Sequence, residues 1–336
     1  MFKRFMCDET AARAPADRPG RGLRRKRSAF ESAIAGRRDG VYFTLGRRRL
    51  LTVPLRLAKL QFTLEDILAG RIPPYPDLTH ADGVRIRSLP TDRRHEVLTF
   101  YSGLLPGVLY RYRRHFIEME GRFEGYLARF SGKTRSTLRR KVRRLSDAGG
   151  GELDVRDYRG VDGLAAFLRI AQPLSDRTYQ GRLLKAGLPS DPTSRQSMLA
   201  LAAEDRVRAF LLFFRGEAIA YLYLPVVGRT LIYAHLGFDG RFSYLSPGSV
   251  LQFAALERLF AEGTFRYFDF TEGEGQHKSL FATNSIACET QVLLKPTLSN
   301  RALLALHKGF CATVRGIKVA AKLLGADAKL HRALRT

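Results

Sequence analysis

The apolar positions are scattered over residues 1–40 and fall into order from Val41 onward. Alternation over 41–45 and 50–55, on either side of Gly46-Arg47-Arg48, predicts two strands. The run 62–69 predicts a short helix, and the three prolines within 70–83 predict a loop. Residues 84–89 alternate as a strand, with Val84, Ile86 and Ser88 on one face. A helix over 93–105, a strand over 110–116 and a helix over 123–130 follow. Over 134–147, Leu138, Val142 and Leu145 recur at helical spacing and make a narrow apolar stripe. Arg139, Arg140, Lys141, Arg143 and Arg144 cover the remaining faces, and Gly149-Gly150-Gly151 ends the helix. A strand over 152–158 resumes the pattern.

Helices are expected at 161–171, 179–186 and 194–204. Three strands in a meander then span 207–214, 218–226 and 230–238, with turns at Arg215-Gly216-Glu217 and Val227-Gly228-Arg229. Their near-continuous apolar character is that of strands covered on both faces. A loop over 239–246 leads to a helix over 247–261, stopped by Gly263. A short strand at 266–270, a helical piece near 277–281, a strand at 287–294 and a helical segment over 300–334 complete the chain. Helices and antiparallel strands in this order give an α+β architecture. We divide the chain into a disordered basic tail (1–40), an N-terminal α/β half ending in the basic helix (41–160), a second α+β domain (161–296) and a basic C-terminal helical segment (297–336).

The composition adds a charge signature. The 336 residues carry 57 Lys and Arg against 32 Asp and Glu, a net charge of +25. The surplus lies wholly in residues 1–56, 129–144 and 300–336, so the body is neutral. Such attachments suit a polyanion: tRNA or an anionic membrane surface met through 129–144 and 300–336. Cys7, Cys288 and Cys311 are too few and too far apart for a disulfide framework or a Cys-rich metal site, so no metal is expected. No stretch approaches the ~20 apolar residues of a membrane span. A cytoplasmic protein, peripheral at the inner membrane face, is the expectation.

The chemistry concentrates in residues 236–281: Leu236-Gly237-Phe238-Asp239, Tyr244-Leu245-Ser246-Pro247-Gly248, Phe268-Asp269-Phe270 and His277-Lys278-Ser279-Leu280-Phe281. Ser246 is placed to cap the helix, Pro247 to open it, and Gly248 has no side chain to block an approach. The first turn holds no carboxylate, the first acid being Glu257. That suits a helix start receiving an external anion such as a pyrophosphate.

These motifs, in this order, resemble GNAT-type acyltransferases of the CelD/BcsL group, relatives of the Fem-type transferases. The resemblance runs from about Gly121 to Pro296 and includes the basic helix. It implies a GNAT-like fold, with two such halves in tandem, and an acetyl-CoA or other acyl-CoA co-substrate. It places the pyrophosphate at Ser246, Pro247, Gly248 and Ser249, and the thioester near Leu236, Gly237 and Phe238, with Lys278 also toward the donor. An amine acceptor, a small molecule or a glycan precursor, would attack the thioester. Asp269, Glu272 and His277 are candidate bases and Tyr244 a candidate acid, with Asp239 holding the loop. The sequence departs from the group in having His277 where Tyr is usual and Phe281 where Trp is usual. Two other readings stand beside this one. One is a Fem-type transferase taking aminoacyl-tRNA; the other is a non-enzymatic polyanion-binding protein.

Overall fold

A computed structural model describes residues 40–45, 48–178, 187–273 and 275–323. The expected basic tail, the helix at 179–186 and the last residues of the C-terminal segment lie outside them. The strands are β1 (Gly40–Leu45), β2 (Arg48–Pro54), β3 (Leu57–Gln61), β4 (Gly83–Pro90), β5 (Leu105–Glu118), β6 (Asp154–Tyr158), β7 (Val207–Phe214), β8 (Glu217–Val227), β9 (Thr230–Ile232), β10 (His235–Phe238), β11 (Tyr267–Asp269) and β12 (Asn284–Leu294). The helices are α1 (Leu64–Leu68), α2 (Arg94–Phe100), α3 (Phe123–Ala128), α4 (Gly132–Gly149), α5 (Gly160–Arg177), α6 (Pro192–Ala203), α7 (Pro247–Glu262), α8 (Gln276–Phe281) and α9 (Leu298–Leu323).

β1 and β2 form a separate hairpin. The remaining strands make one ten-stranded sheet in the order β3-β4-β12-β5-β11-β9-β8-β7-β6, with β10 also on β8. β3 with β4 and β11 with β9 are parallel; the other pairs are antiparallel. The α+β expectation holds. The meander strands are buried on both faces, as their composition requires. Phe210, Leu212 and Phe214 of β7 face a core shared with α3, α4 and α7, while Ala209, Leu211 and Phe213 face α5 and α6. In α4 the expected stripe packs inward: Leu138 and Leu145 are buried and Val142 lies against the same core. Gly150 ends the helix in the left-handed region at φ 112°, its amide bonded to the Ser146 carbonyl.

Four expectations are corrected. The helix at 93–105 is a 3-10 turn (Thr91–Arg93) followed by a helix that stops at Phe100, and β5 already begins at Leu105. The loop at 239–246 holds a 3-10 turn, Gly240–Leu245. The strand at 230–238 is two strands with different partners, as described below. The division at residue 160 is not a boundary in the sheet. β6, before it, is the outer neighbour of β7, whereas β12, far after it, lies between β4 and β5. The two halves are joined by a strand contributed in each direction.

Candidate active site

The meander's third strand parts from its neighbour at Tyr233–Ala234. β9 runs parallel to β11, Thr230 against Tyr267 through Ile232 against Asp269. The Tyr233 amide still donates to the Asp269 carbonyl at 2.9 Å. From His235 the chain leaves β11 and pairs with β8 alone, His235 against Tyr223 through Phe238 against Ala220. β11 meanwhile pairs on its other side with β5, from Tyr267 against Glu118 to Asp269 against Phe116. The result is a wedge-shaped opening between β10 and β11. It widens into a cleft of about 190 Å³ between the two halves of the molecule. Ile232, Tyr233, Ala234, His235, Asp269 and Glu272 line one wall, and Gln61, Thr63, Glu65, Arg87, Ser88 and Arg114 the other.

β10 connects this cleft to the start of α7. Three steps of ~3.3 Å put its two ends about 10 Å apart. A β-carbon on Gly248 would lie 3.1 Å from Leu236 Cδ2 and 3.2 Å from Phe238 Cδ1. The structure therefore brings Leu236, Gly237 and Phe238 together with Ser246, Pro247, Gly248 and Ser249. Three details differ from expectation. Gly248 is buried against β10, so its missing side chain is accounted for by helix–strand packing. Ser246 occupies the cap position in the left-handed region at φ 56°, and its side chain makes no capping bond. The Ser249 amide is already bonded to the Ser246 carbonyl at 3.0 Å. Gly237 is constrained still more closely, since a β-carbon there would lie 2.5 Å from the Tyr221 ring. Asp239 holds the following turn, as expected, accepting from the Arg241 amide at 3.0 Å.

The candidate bases separate by environment. Asp269 is wholly buried and occupied. Its Oδ1 accepts from Arg114 Nε at 3.1 Å and from the Thr271 amide at 2.8 Å, and its Oδ2 accepts from Arg114 Nη2 at 2.5 Å. Arg114 also donates to the Phe62 carbonyl at 2.8 Å. The pair pins β11 to β5 and to the end of β3, which leaves Asp269 a structural anion and removes it from the bases. Glu272 is half-buried at the cleft and accepts from the Tyr110 hydroxyl at 2.5 Å. Burial, with Glu272 nearby, pushes the Tyr110 phenol up, so it remains a donor. His277, on α8, is exposed and lies 5.8 Å from the Tyr233 ring, centre to centre. Burial of part of the ring, and then Lys278, hold its pKa down, so the imidazole is neutral at pH 7.

Lys278 turns inward. Its Nζ donates to the carbonyls of Phe270 and Glu272, both at 2.7 Å, which ties the loop together and withdraws the ammonium from the donor role expected of it. Burial lowers its pKa to about 8. Tyr244 is 57% exposed on the 3-10 turn and takes no part in lining the cleft. The phenol that does line it is Tyr233, which burial keeps protonated. Tyr233, Tyr110, Arg87 and Arg114 were not singled out in the sequence. Arg114 alone left a trace, an arginine at an inward position of an alternating strand. Among the described residues no group of three His, Cys, Asp or Glu could hold a metal.

Residues 132–279 match the family model described as an acetyltransferase (GNAT) domain. The fold is GNAT-like. The match begins at α4 and ends within α8, so it takes in the basic helix, the parted strands and the Asp269–Lys278 loop. Among solved structures, the chain is similar to the C-terminal DUF2156 domain of an Agrobacterium fabrum protein assigned as a lysylphosphatidylglycerol synthetase, with 12% identity, 68% of this chain and 72% of that one covered, and a TM-score of 0.46. FemX gives 12% identity, 67% and 74% coverage and a TM-score of 0.46. L-PGS from Bacillus licheniformis gives 13%, 66% and 71%, and 0.45. Likenesses this loose bear on backbone course only. No curated protein matches the sequence. The matched region supports an acyltransferase. No helix among the described residues is long and apolar enough to cross a membrane.

Proposed function

We propose that the protein transfers an acyl group from acyl-CoA to the nitrogen of an amine. The observation that carries this reading is the parting of β10 from β11 inside the GNAT domain. It frees the edge of β10 toward β11 for an extended arm, with the reactive end at the cleft and the anionic end at the start of α7. The amine nitrogen attacks the thioester carbonyl; the C–N bond forms and the C–S bond breaks. Glu272 takes the proton the nitrogen loses, held in place by Tyr110. Tyr233 gives its phenolic proton to the departing thiolate, the role first expected of Tyr244. Positioned acid and base groups of this kind contribute roughly 10²–10⁴-fold. Acetyl-CoA should raise the melting temperature of the wild type. Glu272→Gln should lower kcat by about 10²-fold or more with little change in that shift. A wild type indifferent to acetyl-CoA and to longer acyl-CoAs would overturn the reading.

One observation favours a second donor. α4 carries Lys133, Arg135, Arg139, Arg140, Lys141, Arg143 and Arg144 before its first acid, Asp147, and only Leu138 and Leu145 of the helix are buried. Cationic faces of this kind suit a nucleic-acid backbone. Replacing Arg139, Arg140, Arg143 and Arg144 by Gln leaves the packing residues intact. If aminoacyl-tRNA is the donor, the change should weaken its binding and flatten the salt dependence. If acyl-CoA is the donor, transfer from it should be unaffected.

A further inference from the structure

Acyl transfer by itself does not account for the charges in the cleft. Each carboxylate there already has a protein donor. Asp269 is held by Arg114 and Thr271, Glu65 by the Arg229 amide at 3.1 Å and the Thr230 hydroxyl at 2.9 Å, and Glu272 by Tyr110. Arg114 is spent on Asp269 and the Phe62 carbonyl. Arg87 differs. It lines the cleft from β4, half-buried, near enough to act on the Tyr110 phenol, and its side chain has no hydrogen-bond or ion-pair partner among the described residues. The next residue, Ser88, sits at φ 54°, and its hydroxyl is 2.7 Å from that of Tyr112. Non-glycine backbone in that region costs of order 1–3 kcal/mol and persists where the surroundings enforce it.

A guanidinium partly withdrawn from water, facing a cleft with no free protein anion, is complementary to an anion on the ligand. We propose that the acceptor is a small amine that also carries a carboxylate or phosphate, its anionic group on Arg87 and its nitrogen at Glu272. A cleft of about 190 Å³ admits a group the size of an amino acid or a single sugar. The inference rests on the acyltransferase reading for the role of Glu272, and on Arg87 alone for the anion.

Paired probes test it: β-alanine against β-alaninamide, and glucosamine 6-phosphate against glucosamine. Each is titrated calorimetrically into wild type, Arg87→Gln and Arg87→Lys, and then offered as acceptor with acetyl-CoA. In at least one pair the charged member should bind wild type tenfold or more tightly than its neutral partner, and which pair does so separates carboxylate from phosphate. Arg87→Gln should reduce that ratio to about one, and Arg87→Lys should retain part of it. The Arg87 guanidinium bonds no partner, so both variants should melt with the wild type; should Arg87→Gln melt lower, Arg87→Lys carries the comparison, where an undiminished ratio counts against the proposal. No charge preference in wild type, or one that survives Arg87→Gln, overturns the proposal. Charge preference in a protein that ignores every acyl-CoA would leave the Arg87 site standing and remove the acyl-CoA reading. Transfer from acetyl-CoA without charge preference would do the reverse.

Discussion

Arg114 and Asp269 show how a residue's surroundings decide its role. Both are buried, 5% and 0% exposed at the side chain, and each is the other's counter-ion. Removing one charge strands the other, so Asp269→Asn should cost about 3–5 kcal/mol. The double change Arg114→Met with Asp269→Leu should recover most of that, because well-packed apolar replacements of a buried pair are often neutral. Urea titrations of the three variants would check both statements. Lys278 makes a prediction in pH. Its folded pKa of about 8 lies below the ordinary 10.5. Between those values the unfolded chain holds a proton that the folded chain has lost, so stability from this group rises with pH through that window. Wild type should therefore gain on Lys278→Met between pH 7 and pH 10 in denaturant midpoints. Asp269, Glu272, His277 and Lys278 were singled out in the sequence as candidates. Which of them remains available was not legible there, because the answer depends on Arg114 and Tyr110, 155 and 162 residues away from their partners.

At the scale of elements, β10 and the start of α7 form one packed unit, and its glycines are spacers. Gly237→Ala places a methyl group 2.5 Å from the buried Tyr221 ring and should cost roughly 1–3 kcal/mol as overpacking. Gly248→Asp should also destabilise, although a carboxylate at a helix N-terminus is ordinarily favourable by about 0.3–1 kcal/mol. Here the new side chain would be driven onto Leu236 and Phe238 in a buried position. Thermal melts that show Gly248→Asp unchanged or stabilised would mean that the helix start is looser than described. The apolar stripe of α4 and the buried strands β7 and β8 were readable because periodicity and burial coincide there. The break at Tyr233–Ala234 was not. No glycine or proline marks it, and mostly apolar residues run through it; the strand divides because its hydrogen-bonding partner changes. β3, five residues long and close behind Pro54, lacked the length to stand out.

For the whole molecule, the continuous sheet implies a single cooperative unit. A fragment of residues 132–279 contains the family-matched region but leaves out β5 and β12. Its β11 would lose Phe116, Ile117 and Glu118 as partners, and Asp269 would be buried without Arg114. Such a fragment should be insoluble or unfolded by circular dichroism, while the intact chain should melt in one transition reported alike by far-ultraviolet and aromatic signals. Two separate transitions would restore the boundary at residue 160 that the sequence had suggested.

The position of β12 also sets a timetable for synthesis. β4 and β5 never touch each other as strands; each waits for a neighbour that emerges from the ribosome far later, as the 178 residues between Arg111 and Glu289 illustrate. Through most of translation both strands present unpaired edges, the form of backbone most prone to wrong association. Closing so long a loop is slow relative to local contacts. Nascent chains halted before residue 284 should therefore be the most dependent on chaperones, and productive folding should begin only when the last strand is free to slide between the two that await it.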